Sequence, residues 1–181
     1  MNKKLVIKHA QDLEGNELYQ TNASLYREFK IPPLSQKDKT DRLFFFLKEK
    51  ERILSMGALL KVSPVYFIDQ QFILYAFVNV VANIKGKGFG KETMIAMRDY
   101  LLENDLTGFG FCMPKVQGFY EKCGFTLNIE STHRFVYKKG DESITNQDGQ
   151  VIFYLESSNA FMEKVLSQPD KIVYIPNQNL W

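Results

Sequence analysis

The sequence predicts a mixed α/β fold of the α+β type, with a mostly antiparallel central sheet, and three observations carry the prediction. Four apolar β-type runs follow one another from Leu43 to Val81 with short polar turns between them, the pattern of an antiparallel meander. A glycine-rich turn, Lys85-Gly86-Lys87-Gly88-Phe89-Gly90-Lys91, joins the last of these runs to an amphipathic helical run ending at Glu103. A further strand and helix follow, Leu106 to Cys112 and then Pro114 to Gly124.

Each element has its own signature. Leu5 to Lys8 reads as a first strand. Asp12 to Phe29, with Leu18, Leu25, Tyr26 and Phe29 apolar, reads as a helix that ends before Ile31-Pro32-Pro33, because proline disfavours helical backbone in the residue before it. A polar, lysine-rich loop follows to Asp41. Leu43 to Leu47 is an unbroken apolar run, Lys48-Glu49-Lys50-Glu51 a charged hairpin, and Ile53 to Val62 the next strand; Val65 to Val81 supplies two more around Asp69-Gln70-Gln71. Phe72 to Val81 lacks clean alternation, as a central strand covered on both faces should. In the helix after the glycines, Met94, Met97 and Leu101 recur at helical spacing, which assigns the methionines to the core. Val116, Phe119, Tyr120 and Cys123 share one face of the next helix, and Gly124 is placed to end it. Thr132 to Lys138 is a late β run, and Asp148-Gly149 reads as a tight hairpin turn into the strand Val151 to Leu155.

Composition narrows the class. With 181 residues, 45% hydrophobic and 24% charged, the chain is expected to fill one core and to form a single domain over residues 1–181. Its 23 basic and 21 acidic residues are interspersed, so neither nucleic acid nor a membrane surface has an electrostatic footprint. No apolar run approaches a membrane span, and Leu5-Val6-Ile7 is broken at once by Lys8 and His9, so no signal-peptide core follows. Cys112 and Cys123 are too few and too far apart for a metal quartet, and their apolar surroundings favour buried thiols in a reducing compartment. The expectation is a cytoplasmic protein without a bound metal. His9 and His133 read as structural or surface histidines.

The glycine-rich turn is the candidate binding element. Gly86, Gly88 and Gly90 at every second position let the backbone turn tightly and aim its amides at one spot. A helix start adds unpaired N–H groups and a partial positive charge, which together suit a diphosphate, and Lys85, Lys87 and Lys91 add more. A solvated basic turn before a helix is the alternative. A P-loop is excluded because only three residues separate Gly86 from Gly90, and a dinucleotide fingerprint because its third glycine would fall on Lys91.

Lys85-Gly86-Lys87-Gly88-Phe89-Gly90 resembles the Arg/Gln-x-x-Gly-x-Gly/Ala pyrophosphate loop of the GNAT superfamily of acetyltransferases. Gly118-Phe119-Tyr120-Glu121-Lys122-Cys123-Gly124-Phe125 is similar to its second hallmark, Leu-Tyr-Glu-Lys-x-Gly-Phe. The resemblance covers roughly residues 42–138 and departs at Lys85, where Arg or Gln is usual, and at Met113, where many members carry Asn. It implies a sheet with helices on both faces and a splayed cleft for acetyl-CoA, residues 1–41 forming the acceptor side, 42–138 the acetyl-CoA core and 139–181 a C-terminal strand and tail. It further implies that Lys85, Gly86, Lys87, Gly88, Phe89, Gly90 and Lys91 hold the pyrophosphate. Val78 and Val80, on a bulged strand, would pair with the pantetheine arm.

Tyr120 would be the general acid at the departing sulfur; read without the family it is a packed core aromatic. The implied reaction is direct transfer to a primary amine of a small molecule, with no covalent enzyme intermediate, so the two cysteines are not expected as nucleophiles. A non-catalytic acyl-CoA sensor that retains the fold is the alternative, and a homodimer is left open. The late Asp148-Gly149-Gln150-Val151 and the ending at Trp181 are similar to the aminoglycoside 2'-N-acetyltransferase branch, which implies that Asp148 and the Trp181 carboxylate bind acceptor ammonium groups. Two departures from that branch are Asn179, where an acid is usual, and Ala76, where the acid that serves as base is expected. The alternative for Trp181 is a ring packed on the core that anchors the tail.

Overall fold

A computed structural model of the chain describes residues 2–34, 41–139, 142–145 and 150–176. In chain order the elements are β1 (Lys3–His9), α1 (Gly15–Phe29), β2 (Arg42–Glu49), β3 (Arg52–Phe67), β4 (Gln70–Ala82), α2 (Phe89–Glu103) and β5 (Gly108–Cys112). Then come α3 (Gln117–Glu121), β6 (Thr126–Asn128), β7 (Phe135–Lys139), β8 (Glu142–Thr145), β9 (Val151–Leu155), α4 (Phe161–Ser167) and β10 (Val173–Ile175). The fold is the mixed α/β, mostly antiparallel one that the sequence predicts. β4 runs parallel to β5 and β7 parallel to β10, while β1–β2, β2–β3, β3–β10, β5–β9, β6–β9 and β7–β8 pair antiparallel. The chain forms two compact units, residues 1–60 with 77–97, and residues 61–76 with 98–180.

In the first unit, β2 shows why Leu43 to Leu47 carries no polar interruption: both of its faces are covered. Phe44 and Phe46 stack with ring centroids 5.6 Å apart and join Leu25, Met56, Ala58 and Val81 in a cluster that Leu18 of α1 packs against. Leu47 turns the other way, to Leu54 and Phe89 at the start of α2. A helix therefore covers each face of the sheet in this unit. α1 starts at Gly15, three residues later than the apolar pattern suggests, because Ala10–Asp12 forms a separate 3-10 turn and Gly15 has φ +52°. Its end is as expected: Lys30 takes the left-handed conformation and its N–H closes on the Tyr26 carbonyl at 3.0 Å before the two prolines. Tyr26 and Phe29, expected on the apolar face, are instead 60% and 45% exposed, and Leu18 and Leu25 carry the packing.

In the second unit, the expected break near Pro64 does not occur. Val62 and Val65 are both fully buried, so the core extends past the proline and one strand, β3, replaces the two predicted there. β5 opens at Gly108, not Leu106, and a 3-10 turn over Thr132–Arg134 precedes β7. Short elements in the last third lack a readable period: α4 buries Phe161, Met162 and Val165 within seven residues, and β6 and β10 have three residues each. The Asp148-Gly149 turn lies outside the described residues; among the described residues β8 pairs with β7, while β9 pairs with β5 and β6. Among the described residues no helix is long and apolar enough to cross a membrane.

Glu17 is a buried ion of the first unit. Its carboxylate lies 2.7 Å from the Lys8 ammonium and 3.0 Å from that of Lys48. Burial alone would raise its pKa, but the hydrogen bonds and charges of the two lysines outweigh burial and hold it below the usual carboxylate value. A lowered pKa in the folded state means stability that is present above the unfolded value and is lost as pH falls through the folded one. Thermal melts from pH 7 down to pH 3 should therefore show an acid-side loss of Tm that is smaller in Glu17→Gln than in the wild type.

Gly110 on β5 faces Phe153 on β9 in direct register. A Cβ added at Gly110 would lie 2.3 Å from Phe153 Cζ, so the ring occupies the space that a side chain would take. Gly110→Ala should cost about 1–3 kcal/mol by overpacking, and Phe153→Ala about 3–5 kcal/mol by cavity formation, both read from urea unfolding.

Candidate active site

The site begins with an irregularity in β4. Asn79 has φ +57° in the middle of the strand, the left-handed conformation that a bulged residue adopts. The consequence is visible in the side chains. Val78 packs with Val81 on the face that α1 covers, whereas Val80 points to Gly57 on the opposite face, which Met97 of α2 covers. Residues 78 and 80 would share a face in a regular strand, so the extra residue at Asn79 reverses the alternation. Both valines are half-buried.

β4 leads into the glycine-rich turn. Gly86 and Gly88 have φ +74° and +77°, which residues with a Cβ adopt only under strain, and a Cβ at either would stand in open space. The Gly88 carbonyl accepts from the Glu92 N–H at 3.0 Å, so Gly88 caps α2. The first amides of that helix have no intrahelical acceptor, and they open onto the same turn. Phe89, predicted among the cofactor residues, buries its ring with Leu47, Leu54 and Ile84, while its carbonyl accepts from Ser55 Oγ at 2.9 Å. What it contributes to the turn is backbone, and its ring fixes the start of α2. Ser55 Oγ also hydrogen-bonds Thr93 Oγ1, which pins α2 to β3. Lys85, Lys87 and Lys91 are exposed.

The end of β4 is held by contacts that the sequence does not announce. The Asn83 N–H donates to the Leu54 carbonyl at 2.9 Å and its Nδ2 to the Ile53 carbonyl at 3.0 Å. Its Oδ1 accepts from Ser24 Oγ at 3.0 Å and from Arg27 Nη2 at 2.6 Å, both on α1. Beside it, Glu28 accepts from Lys85 Nζ at 3.2 Å and lies 3.4 Å from Arg27 Nε. The hydrogen bond from Lys85, with the charges of Lys85 and Arg27, outweighs the opposing effect of burial and holds the Glu28 carboxyl below the usual carboxylate range. Ser24, Arg27 and Glu28 lie at helical spacing on α1, but nothing in that spacing names Asn83 or Lys85 as their partners.

Tyr120 belongs to the second unit. The residues before α3 form a 3-10 turn led by Pro114, and α3 carries Tyr120 onto Phe153 of β9, ring centroids 3.8 Å apart and planes 20° apart. Phe119 and Phe125 meet it edge-on at 5.2 and 6.4 Å. Burial, with small contributions from Cys112 and Cys123, pushes its hydroxyl up to about 12. Cys123 is buried beneath the same helix, but Val116, expected on that face, is 41% exposed because it sits in the 3-10 turn where the helical period does not yet hold. Cys112 and Cys123 are buried and not joined in a disulfide, and burial raises Cys112, which makes it a poor nucleophile at neutral pH. Ala76, in the place where an acid is expected, is 5% exposed and pairs with Phe109 across β4 and β5. Asp148 and Trp181 lie outside the described residues. Among the described residues no three His, Cys, Asp or Glu side chains gather as metal ligands.

Comparison with known proteins identifies the family and the fold. The sequence model described as the acetyltransferase (GNAT) family matches residues 10–125, a span that contains the bulged strand, the glycine-rich turn and the Tyr120 segment. Among solved structures, an acyl-CoA N-acyltransferase from Pseudomonas aeruginosa is 17% identical, with a TM-score of 0.59 over 84% of this chain and 99% of that one. ElaA of Escherichia coli is 15% identical, with a TM-score of 0.60 over the same shares, 84% and 99%. YhbS, a GNAT family N-acetyltransferase of Escherichia coli whose structure is a complex with CoA, is 12% identical, with a TM-score of 0.62 over 96% of this chain and 89% of that one. At these identities the likeness is one of fold. No curated protein matches the chain by sequence. The family match over more than half of the chain gives the identity: this protein belongs to the acetyltransferase (GNAT) family and is an acyltransferase.

Proposed function

We propose that the chain is an N-acetyltransferase, one domain over residues 1–181, that moves the acetyl group of acetyl-CoA directly to a primary amine of a small molecule. The observation that carries the reading is the β4–α2 connection, where a bulge, two left-handed glycines and a free helix start follow one another within a few residues. Lys85, Gly86, Lys87, Gly88, Gly90 and Lys91, with the Phe89 backbone, take the diphosphate on amides and ammonium groups. Val78 and Val80 offer their backbone to the amide-bearing pantetheine arm, as one strand pairs with another.

Tyr120 donates to the leaving sulfur. Its hydroxyl titrates near 12, so it remains protonated throughout the physiological range. A thiol titrates at about 8.5, so complete handover of the tyrosine proton would run uphill, and the contribution of Tyr120 is a hydrogen bond that stabilises negative charge growing on sulfur. The neutral amine attacks the thioester carbon, the C–S bond breaks, and in net the proton lost by nitrogen ends on the sulfur. Asp148 and Trp181 are the proposed contacts of the acceptor's ammonium groups, which makes aminoglycoside-like amines the first class to try. A second reading, an acyl-CoA sensor without turnover, is favoured by one observation, the buried Ala76 where a carboxylate base is expected.

The test is release of free CoA thiol from acetyl-CoA against polyamines, aminoglycosides and peptide N-termini, with thermal stabilisation by acetyl-CoA followed in parallel. Amine-dependent release establishes the transferase, whereas stabilisation without release from any amine establishes the sensor. In the active case Tyr120→Phe should lower kcat by about 10- to 100-fold and leave the affinity for CoA unchanged; unaltered kcat would remove Tyr120 from the chemistry.

A further inference from the structure

Glu28 places its two carboxylate oxygens on two different cations, Oε1 at 3.4 Å from Arg27 Nε and Oε2 at 3.2 Å from Lys85 Nζ. An anion held between two cations at the start of the glycine-rich turn occupies a position that a phosphate group could take. We propose that Arg27 and Lys85 form a two-cation subsite for the diphosphate of the CoA cosubstrate, and that Glu28 is the built-in anion which leaves them when the diphosphate binds. The proposal rests on the reading of the turn given above and adds a residue of α1, Arg27, that neither glycine motif contains.

Three features support it. Arg27 is fixed at its place: Nη2 donates to Asn83 Oδ1 at 2.6 Å, and Asn83 is itself held to the Ile53 and Leu54 carbonyls two residues before Lys85. The remaining guanidinium donors are not used by that bond, and a guanidinium presents them as a planar fork suited to phosphate oxygens. Both cations are also reachable, with 54% of the Arg27 and 70% of the Lys85 side chain exposed, against 28% for Glu28. Exposed ion pairs of this kind are weak, so a diphosphate that gains the loop amides as well as the two cations displaces the carboxylate readily. Glu28 then sets the threshold: it keeps Lys85 and Arg27 ordered and near neutral until a ligand with more charge arrives.

The test is calorimetric titration of the full chain with CoA, 3'-dephospho-CoA and pantetheine, for the wild type, Arg27→Gln, Arg27→Lys, Lys85→Gln and Glu28→Gln, each checked by an unliganded melt. Arg27→Gln and Lys85→Gln should each weaken CoA about tenfold, Arg27→Lys should recover part of the loss, and Glu28→Gln should tighten CoA about threefold. A gain in affinity is a change that a folding defect does not produce. The same pattern is expected with 3'-dephospho-CoA and none with pantetheine. Equal affinities for wild type and Arg27→Gln, or weaker binding by Glu28→Gln, would overturn the subsite while leaving the cosubstrate in place. A pattern lost with 3'-dephospho-CoA would move the two cations to the 3'-phosphate and overturn the diphosphate assignment. Absence of CoA binding by the wild type would overturn the proposed cosubstrate, and the subsite with it.

Discussion

A strand that carries one residue too many has to change the face to which its later side chains point, and β4 does so at Asn79. Before the change, Val78 packs under α1; after it, Val80 points to Gly57 and Met97, and Val81 returns to the α1 side. The glycine-rich turn depends on that shift, since it sets where β4 ends and where Asn83 meets the carbonyls of β3. Gly57 is part of the same arrangement. A Cβ there would fall 2.6 Å from Met97 Sδ, so the Met97 side chain of α2 fills the space that a side chain at position 57 would take.

Two kinds of positive potential meet at the turn, and they differ in constancy. The backbone amides at the start of α2 are fixed by the helix and by the buried Phe89 ring, and salt does not displace them. The lysines around them are exposed and screened at physiological ionic strength. In the proposed site, selectivity for a diphosphate would therefore come from the amides, and the charged side chains would adjust strength. In the second unit the corresponding rigidity comes from aromatic packing, with Gly110, Phe153 and Tyr120 layered so that the glycine leaves room for the ring and the ring supports the tyrosine.

The sequence made the centre of the fold legible and its margins less so. Strands such as β2 and the helix α2 carry long, strongly periodic or unbroken apolar patterns, and these were readable because burial on one or both faces dictates residue type over many positions. The glycine turn was readable because left-handed backbone selects glycine. The bulge at Asn79 left no comparable mark, since asparagine tolerates that conformation without being required there. Tyr26 and Phe29 looked apolar and proved exposed, because periodicity does not tell which of two stripes on a helix meets the core. Arg27, Glu28 and Asn83 are ordinary polar residues until the tertiary fold brings α1 against the end of β4. Short elements such as α4 and β10 lie below the length at which a period can be counted.

The central claim is that the backbone from Val78 to Lys91 receives the CoA cosubstrate, and the most direct measurement of it is residue-resolved amide hydrogen exchange with and without acetyl-CoA. The account predicts slowed exchange at Val78, Val80 and residues 86–91, with β1 amides unaffected. Exchange unchanged at those positions, with acetyl-CoA protecting some other part of the chain, would contradict it.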